Sequence, residues 1–229
     1  MKKSQPDESE ARAYHHGDLR RVLVEAALAL VTEEQDWAFS LREVARRAGV
    51  SHNAPYNHFA DKDELLVAIA AAGLEMLRDR MLRAMVGLAD PASELREVGR
   101  AYVRAALENP ALYRLVFGPA LAGGQDRLAA AMAAGIRPRE MLEQIIERGA
   151  RSGAFAIAPE DSRGRAIATL AAWAAVHGLA MLAIDKRADA RLSLGELVDG
   201  ITDTLLDGLR PRKSAPTSSI GLRSRAHEL

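Results

Sequence analysis

Apolar residues recur along this chain at intervals of three and four, with polar residues between them, and that spacing predicts helices nearly throughout. Leu19, Leu23, Ala26 and Leu30 mark a first helix that ends near Glu34, and Leu65, Ile69, Ala72 and Met76 mark a long one from about Asp61 to Val86. Leu194, Leu197, Val198, Ile201, Leu205 and Leu209 mark the last. A capping residue followed by proline opens further helices at Asp90-Pro91 and Asn109-Pro110, and Pro159, followed by Glu160 and Asp161 where acids suit the helix dipole, opens another. No run sustains the alternation of a strand, so the expectation is an all-α chain of about nine helices. Gly118 to Gln125, with Pro119 and Gly123-Gly124, reads as a loop. Residues 1–13 read as a disordered arm, and residues 211–229, rich in Ser, Pro and Arg without an apolar face, as a disordered tail.

Composition narrows the classes. With 229 residues, 48% of them hydrophobic, the chain is long enough for one sizeable core or two small ones. Only 4% are aromatic, which agrees with helices rather than a sandwich or barrel. The absence of cysteine removes disulfides, thiolate metal sites and thiol nucleophiles together. The polar start has no signal-peptide core, so a cytoplasmic product is expected. The stretch from Ala166 to Ile184 approaches the length of a membrane span, but its many alanines and His177 favour a buried central helix.

The chemistry concentrates between Ser40 and Phe59. Ala45 is small enough for two helices to cross, Gly49 can take the positive φ of a sharp turn, Val50 and Pro55 fall inward, and Ser51 is placed to cap a second helix. Helix, sharp turn and second helix at this spacing form a helix-turn-helix signal, and if the second helix entered a DNA groove its N-terminal residues His52, Asn53 and Tyr56 would face base edges. Asn53 suits adenine and Arg42, from the preceding helix, suits guanine.

Ser40, Ala48-Gly49-Val50-Ser51, Tyr56, His58-Phe59 and Lys62, followed by Asp63-Glu64-Leu65-Leu66, resemble the DNA-binding domain of the TetR family of bacterial transcriptional regulators. The remainder resembles the variant with a WHG-type C-terminal domain, on Tyr14 to Arg20, Asn109 to Gly118, and Trp173 with His177-Gly178. The resemblance implies a helix-turn-helix domain over 14–61, a larger ligand-binding and dimerisation domain over 62–210, and Ser40, Tyr56, His58 and Lys62 as phosphate clamps. Ala54 and Asn57 complete the candidate DNA contacts. Two positions depart from the family pattern. Pro55 removes an amide donor and biases Ala54 away from α geometry, which predicts an irregular first turn, and Asn57 replaces a bulkier residue.

The helix from 159 to 185 has two apolar sides, Leu170, Trp173 and His177 on one and Ile167, Ala171, Ala174, Gly178 and Leu182 on the other. One side is expected to face its own domain and the other a second copy, joined by the helix over 194–209. The resemblance implies the same homodimer. It also implies an effector cavity, for which Tyr102, Tyr113, Phe117, Met132, Met141, Trp173 and His177 are the candidates, with His177 as a polar anchor for a mainly apolar small molecule. A double-stranded operator and that effector are the expected partners, a membrane is not, and no cofactor or metal is expected.

Catalysis is not expected. The six histidines form no metal spacing, and no nucleophile elbow, Walker loop or dinucleotide fingerprint is present. The zero net charge excludes nothing about DNA, because it is a cancellation: from Ser40 to Lys62 the bases Arg42, Arg46, Arg47 and Lys62 outnumber the acids Glu43 and Asp61. That small excess predicts few phosphate contacts and a shallow salt dependence.

Overall fold

A computed structural model of the chain describes residues 8–121, 126, 137–189 and 191–210, and among these residues the regular structure is entirely helical. The described residues form eight continuous α-helices: α1 (Glu8–Glu34), α2 (Leu41–Arg47), α3 (Lys62–Ala84), α4 (Pro91–Glu108), α5 (Pro110–Phe117), α6 (Pro138–Arg151), α7 (Ser162–Ile184) and α8 (Leu194–Leu209). Two short 3₁₀ turns lie at Ala54–Asn57 and Pro119–Leu121, the latter inside the expected loop. Helix α1 starts at Glu8, six residues ahead of the boundary expected at Tyr14. The segment 1–7 and the tail 211–229 lie outside the described residues.

The punctuation works as the sequence suggests. Asp61, Asp90 and Asn109 each accept a first-turn amide with their side chains, and Pro91 and Pro110 fall where a missing N–H costs nothing. The helix expected to open at Pro159 instead opens at Ser162, because Asp161 takes the Gly164 amide at 2.8 Å and acts as the cap. Ser193 and Glu196 form a reciprocal capping box at the start of α8.

The buried residues gather into two clusters that share helices. The head cluster joins α1, α2 and Phe59 to the first half of α3, from Leu65 to Leu74, and to Ala111, Leu112, Leu115 and Val116 of α5. The second cluster joins Leu77 and Met81 of α3 to α4, α6, α7 and α8, with Tyr113 of α5. Helices α3 and α5 therefore belong to both cores. Their close approach depends on Gly73, where a Cβ would come within 2.9 Å of Leu112.

Helix α7 is long and apolar enough to cross a membrane by composition, but Ala168, Thr169, Ala172, Val176, Leu179 and Ala180 are buried within the second core. Its other side is uncovered: Ile167, Leu170 and Leu182 are 57%, 54% and 48% exposed. Leu170, expected beside Trp173, thus lies with the outward stripe. At 100° per residue it stands closer to Ala174 than to Trp173, at the seam of the two faces.

Gly149 tests the packing of the second core. A Cβ there would lie 2.1 Å from the ring of Phe155, which is buried in the second core. Gly149→Ala is expected to lower the unfolding free energy by about 1–3 kcal/mol in a urea titration.

Candidate nucleic-acid interface and effector cavity

Ser40 begins the reading segment as the N-cap of α2. Its hydroxyl accepts the Glu43 amide at 3.2 Å while Glu43 Oε2 accepts the Ser40 amide at 2.7 Å. The Ser40 amide and the Ser40 hydroxyl, which donates to the same Oε2 at 3.0 Å, hold the Glu43 carboxyl below the usual carboxylate range. The Ser40 hydroxyl is therefore engaged in capping. Ala45 is buried and Gly49 adopts φ +69°, as the crossing and the turn require.

The expected second helix is reduced to the 3₁₀ turn Ala54–Asn57, without a side-chain cap. Ser51 contributes its carbonyl to the Ala54 amide at 3.0 Å rather than capping with its side chain. Pro55 is the physical reason. It cannot donate an amide, and its ring is buried against the head as an anchor. The turn is closed by the His58 and Phe59 amides, both donated to the Pro55 carbonyl, at 3.0 and 2.9 Å. Around this anchor Arg42, His52, Asn53, Tyr56 and Asn57 are exposed, whereas Ala54, His58 and Lys62 are half-buried. Tyr56, 51% exposed, is the one large apolar-bodied side chain that the turn presents outward.

The effector candidates divide. Tyr102, Tyr113, Trp173 and His177 form one hydrogen-bonded cluster: the Trp173 indole N–H donates to the Tyr102 hydroxyl at 3.3 Å, the two tyrosine hydroxyls are 3.0 Å apart, and Tyr113 reaches His177 Nδ1 at 2.6 Å. Burial pushes both tyrosine hydroxyls up and the His177 imidazole down from their ordinary pKa values. Both shifts favour the uncharged forms, and the two hydroxyls, the indole N–H and His177 Nδ1 meet one another within the cluster. Phe117 stacks obliquely on Tyr113, with centroids 4.8 Å apart. Met141 is a fully packed core residue, 2% exposed, and Met132 lies outside the described residues.

Open space lies beside this cluster rather than within it. A cleft of about 50 Å³ separates α3, α4 and α5, walled by Leu74, Leu77, Ala105, Leu112, Tyr113 and Phe117. Its polar rim is Arg80, Glu108 and Asn109, and Arg80 is ion-paired with Glu108. A second void, against Tyr102, is about 10 Å³, the size of one water. The cleft residues of α3 and α4 escaped the sequence reading because small and aliphatic side chains there look like any other helix face.

A helix-turn-helix head fused to a larger helical domain defines a DNA-binding transcriptional regulator. The model of bacterial regulatory proteins of the tetR family matches residues 23–69, and that of the tetracyclin repressor-like C-terminal domain matches residues 95–209. The chain belongs to the TetR family, whose members bind DNA and are not enzymes. A protein of unknown function from Rhodococcus sp. RHA1 is similar over 91% of this chain and 100% of its own, with 31% identity and a TM-score of 0.72. PfmR, a TetR family transcriptional regulator from Thermus thermophilus, matches 82% of this chain and 99% of its own, with 26% identity and a TM-score of 0.59. A regulatory protein in the tetR family from Rhodococcus RHA1, 21% identical over 85% of this chain and 98% of its own, shares the fold with a TM-score of 0.60.

The half-buried His177 imidazole makes stability pH-dependent. Its folded-state pKa is depressed, so the unfolded chain binds the proton first, and the contribution present above the unfolded value near pH 6.5 is lost as pH falls below it. The wild-type melting temperature is expected to fall between about pH 6.5 and pH 5, and His177→Gln to flatten that part of the profile.

Proposed function

We propose that this regulator is a ligand-responsive repressor acting in the cytoplasm, which binds a palindromic operator as a homodimer and is released by a small, mainly apolar effector. The observation that carries this reading is α5, which places Tyr113 and Phe117 on the cleft while Leu112 and Leu115 of the same eight-residue helix are buried in the head core. A molecule entering between α3, α4 and α5 would move the helix that completes the head. Asn109 adds a polar tie: its side-chain carbonyl caps α5 by accepting the Leu112 amide at 3.1 Å, and its side-chain amide donates to Thr32 Oγ1 of α1 at 2.7 Å.

The homodimer is supported by the uncovered apolar side of α7 and by the open space over Gly178 of α7 and over Gly200 and Gly208 of α8. Small residues with nothing above them let another backbone approach closely. Two heads about 34–36 Å apart would then read two half-sites. Arg42, His52, Asn53, Tyr56 and Asn57 are the proposed base-side contacts, and Lys62 and His58 the backbone-side ones, with Ser40 acting through the cap of α2.

Selection of duplexes from a random pool by the full chain tests the reading directly. The expected product is an inverted repeat bound by a dimer, and enrichment of nothing would overturn it. Ala174→Glu, on the exposed side of α7, is expected to leave a folded monomer whose affinity for that duplex falls toward the non-specific range of about 10⁻⁴–10⁻⁶ M.

The coupling through Asn109 is separately testable. Thr32→Val removes the acceptor, and Asn109→Ser keeps a cap for α5 without the amide donor. Each is expected to weaken operator binding, and the double variant to do so non-additively, with a coupling of about 1–3 kcal/mol. Additive or negligible effects in a titration of the selected duplex would remove Asn109 from the coupling route.

A further inference from the structure

The head holds two of its cations against aromatic rings. The Lys62 ammonium stands 5.2 Å from the centroid of Phe39, and the Arg20 guanidinium carbon stands 5.0 Å from the centroid of Phe59. Both rings are fixed in the head core, 4% and 1% exposed, so neither can move away from its cation. The rings also sit at functional places. Phe39 immediately precedes Ser40 and α2, and Phe59 closes the reading turn through its amide to the Pro55 carbonyl.

Arg20 is exposed on α1, a helix from which the sequence suggested no DNA contact. Other basic residues of the head are ion-paired: Arg21 with Glu25 at 2.5 Å, and Arg47 with Glu33. Among the described residues neither Arg20 nor Lys62 has an ion-pair partner. A ring face attracts a cation without discharging it, so stacking orders the side chain and leaves its charge and its outward N–H donors available. A guanidinium in that state suits the paired oxygens of a phosphate.

We propose that Arg20, held by Phe59, is a phosphate-binding residue, so that each head grips the DNA backbone at the entry to α2 through Lys62 and at the exit of the reading turn through Arg20. The inference rests on the DNA-binding role of the family and on no particular operator. Because phosphate contacts position the protein without reading bases, loss of Arg20 weakens specific and unrelated duplexes by the same factor.

The test measures affinity against salt for the full chain, its Arg20→Gln and Arg20→Lys variants, and Arg21→Gln as a control. The probes are the selected duplex and an unrelated duplex of equal length. Arg20→Gln is expected to reduce the slope of log K against log salt by about 0.9 per head, or about 1.8 for a dimer, on both duplexes. Arg20→Lys, which keeps the charge, is expected to retain the wild-type slope, and Arg21→Gln to change it little. An unchanged slope in Arg20→Gln overturns the proposal, as does an equal loss in Arg21→Gln, which would indicate a diffuse charge effect. Loss of slope in Arg20→Lys also overturns it, since the stacking would then be structural. If the selection enriched no duplex while the unrelated probe still showed the Arg20 effect, the operator reading would fail and this inference would stand.

Discussion

The fold depends on one packing constraint: the small N-terminal head cannot close its own core. Helices α1 and α2 and the reading turn present more apolar surface than they can cover, and burial of that surface is the dominant stabilising term. The missing walls come from Leu65 to Leu74 of α3 and from Leu112, Leu115 and Val116 of α5. Both helices continue into the second core, through Leu77 and Met81 in one and Tyr113 in the other. The two cores are thus joined through the shared helices themselves. Gly73 sets how closely the two shared helices can sit.

Polar interactions refine that connection. The Asn109 side chain closes the start of α5 and reaches Thr32 on α1, so the same residue fixes the helix on the cleft and touches the head. Arg114 and Asp185 tie α5 to the end of α7 at 2.6 Å, and Arg100 and Asp199 tie α4 to α8 at the same distance. Exposed pairs of this kind add little stability, but they restrict how helices slide past one another. The aromatic cluster around His177 is a different device. Its members hydrogen-bond to one another within the second core, and a cleft lies beside them against Tyr113 and Phe117.

The surface around the turn at 54–57 illustrates how little net charge says about a local patch. A chain with balanced charges still presents Arg20, Arg42 and Lys62 on the head, while Glu43 caps Ser40 and Asp61 caps the Glu64 amide. Pro55 shapes the same surface by shortening the second helix to a single turn and anchoring it from below. The consequence is a compact set of exposed side chains, His52, Asn53, Tyr56 and Asn57, on a backbone held by few local hydrogen bonds.

Much of this was legible in the order of residues alone. Periodicity, N-caps and proline positions specify helices locally, so α3, α4, α5 and α8 begin where Asp61, Asp90, Asn109 and Ser193 direct. The Ala45 to Gly49 spacing, with Tyr56, His58 and Lys62 beyond it, identified the head because a tight helix crossing and turn tolerate few residue types. Where neighbouring residues compete, the local rules chose less well, as with Pro159 against Asp161 for the start of α7 and Leu170 at the seam of its two faces. What the tertiary structure alone decided is which elements meet: α5 in both cores, Asn109 against Thr32, Arg20 over Phe59, and a cleft among aliphatic residues of three helices. Those meetings join residues far apart in the chain, and they are set by how helix surfaces fill shared space, a property that no local spacing encodes.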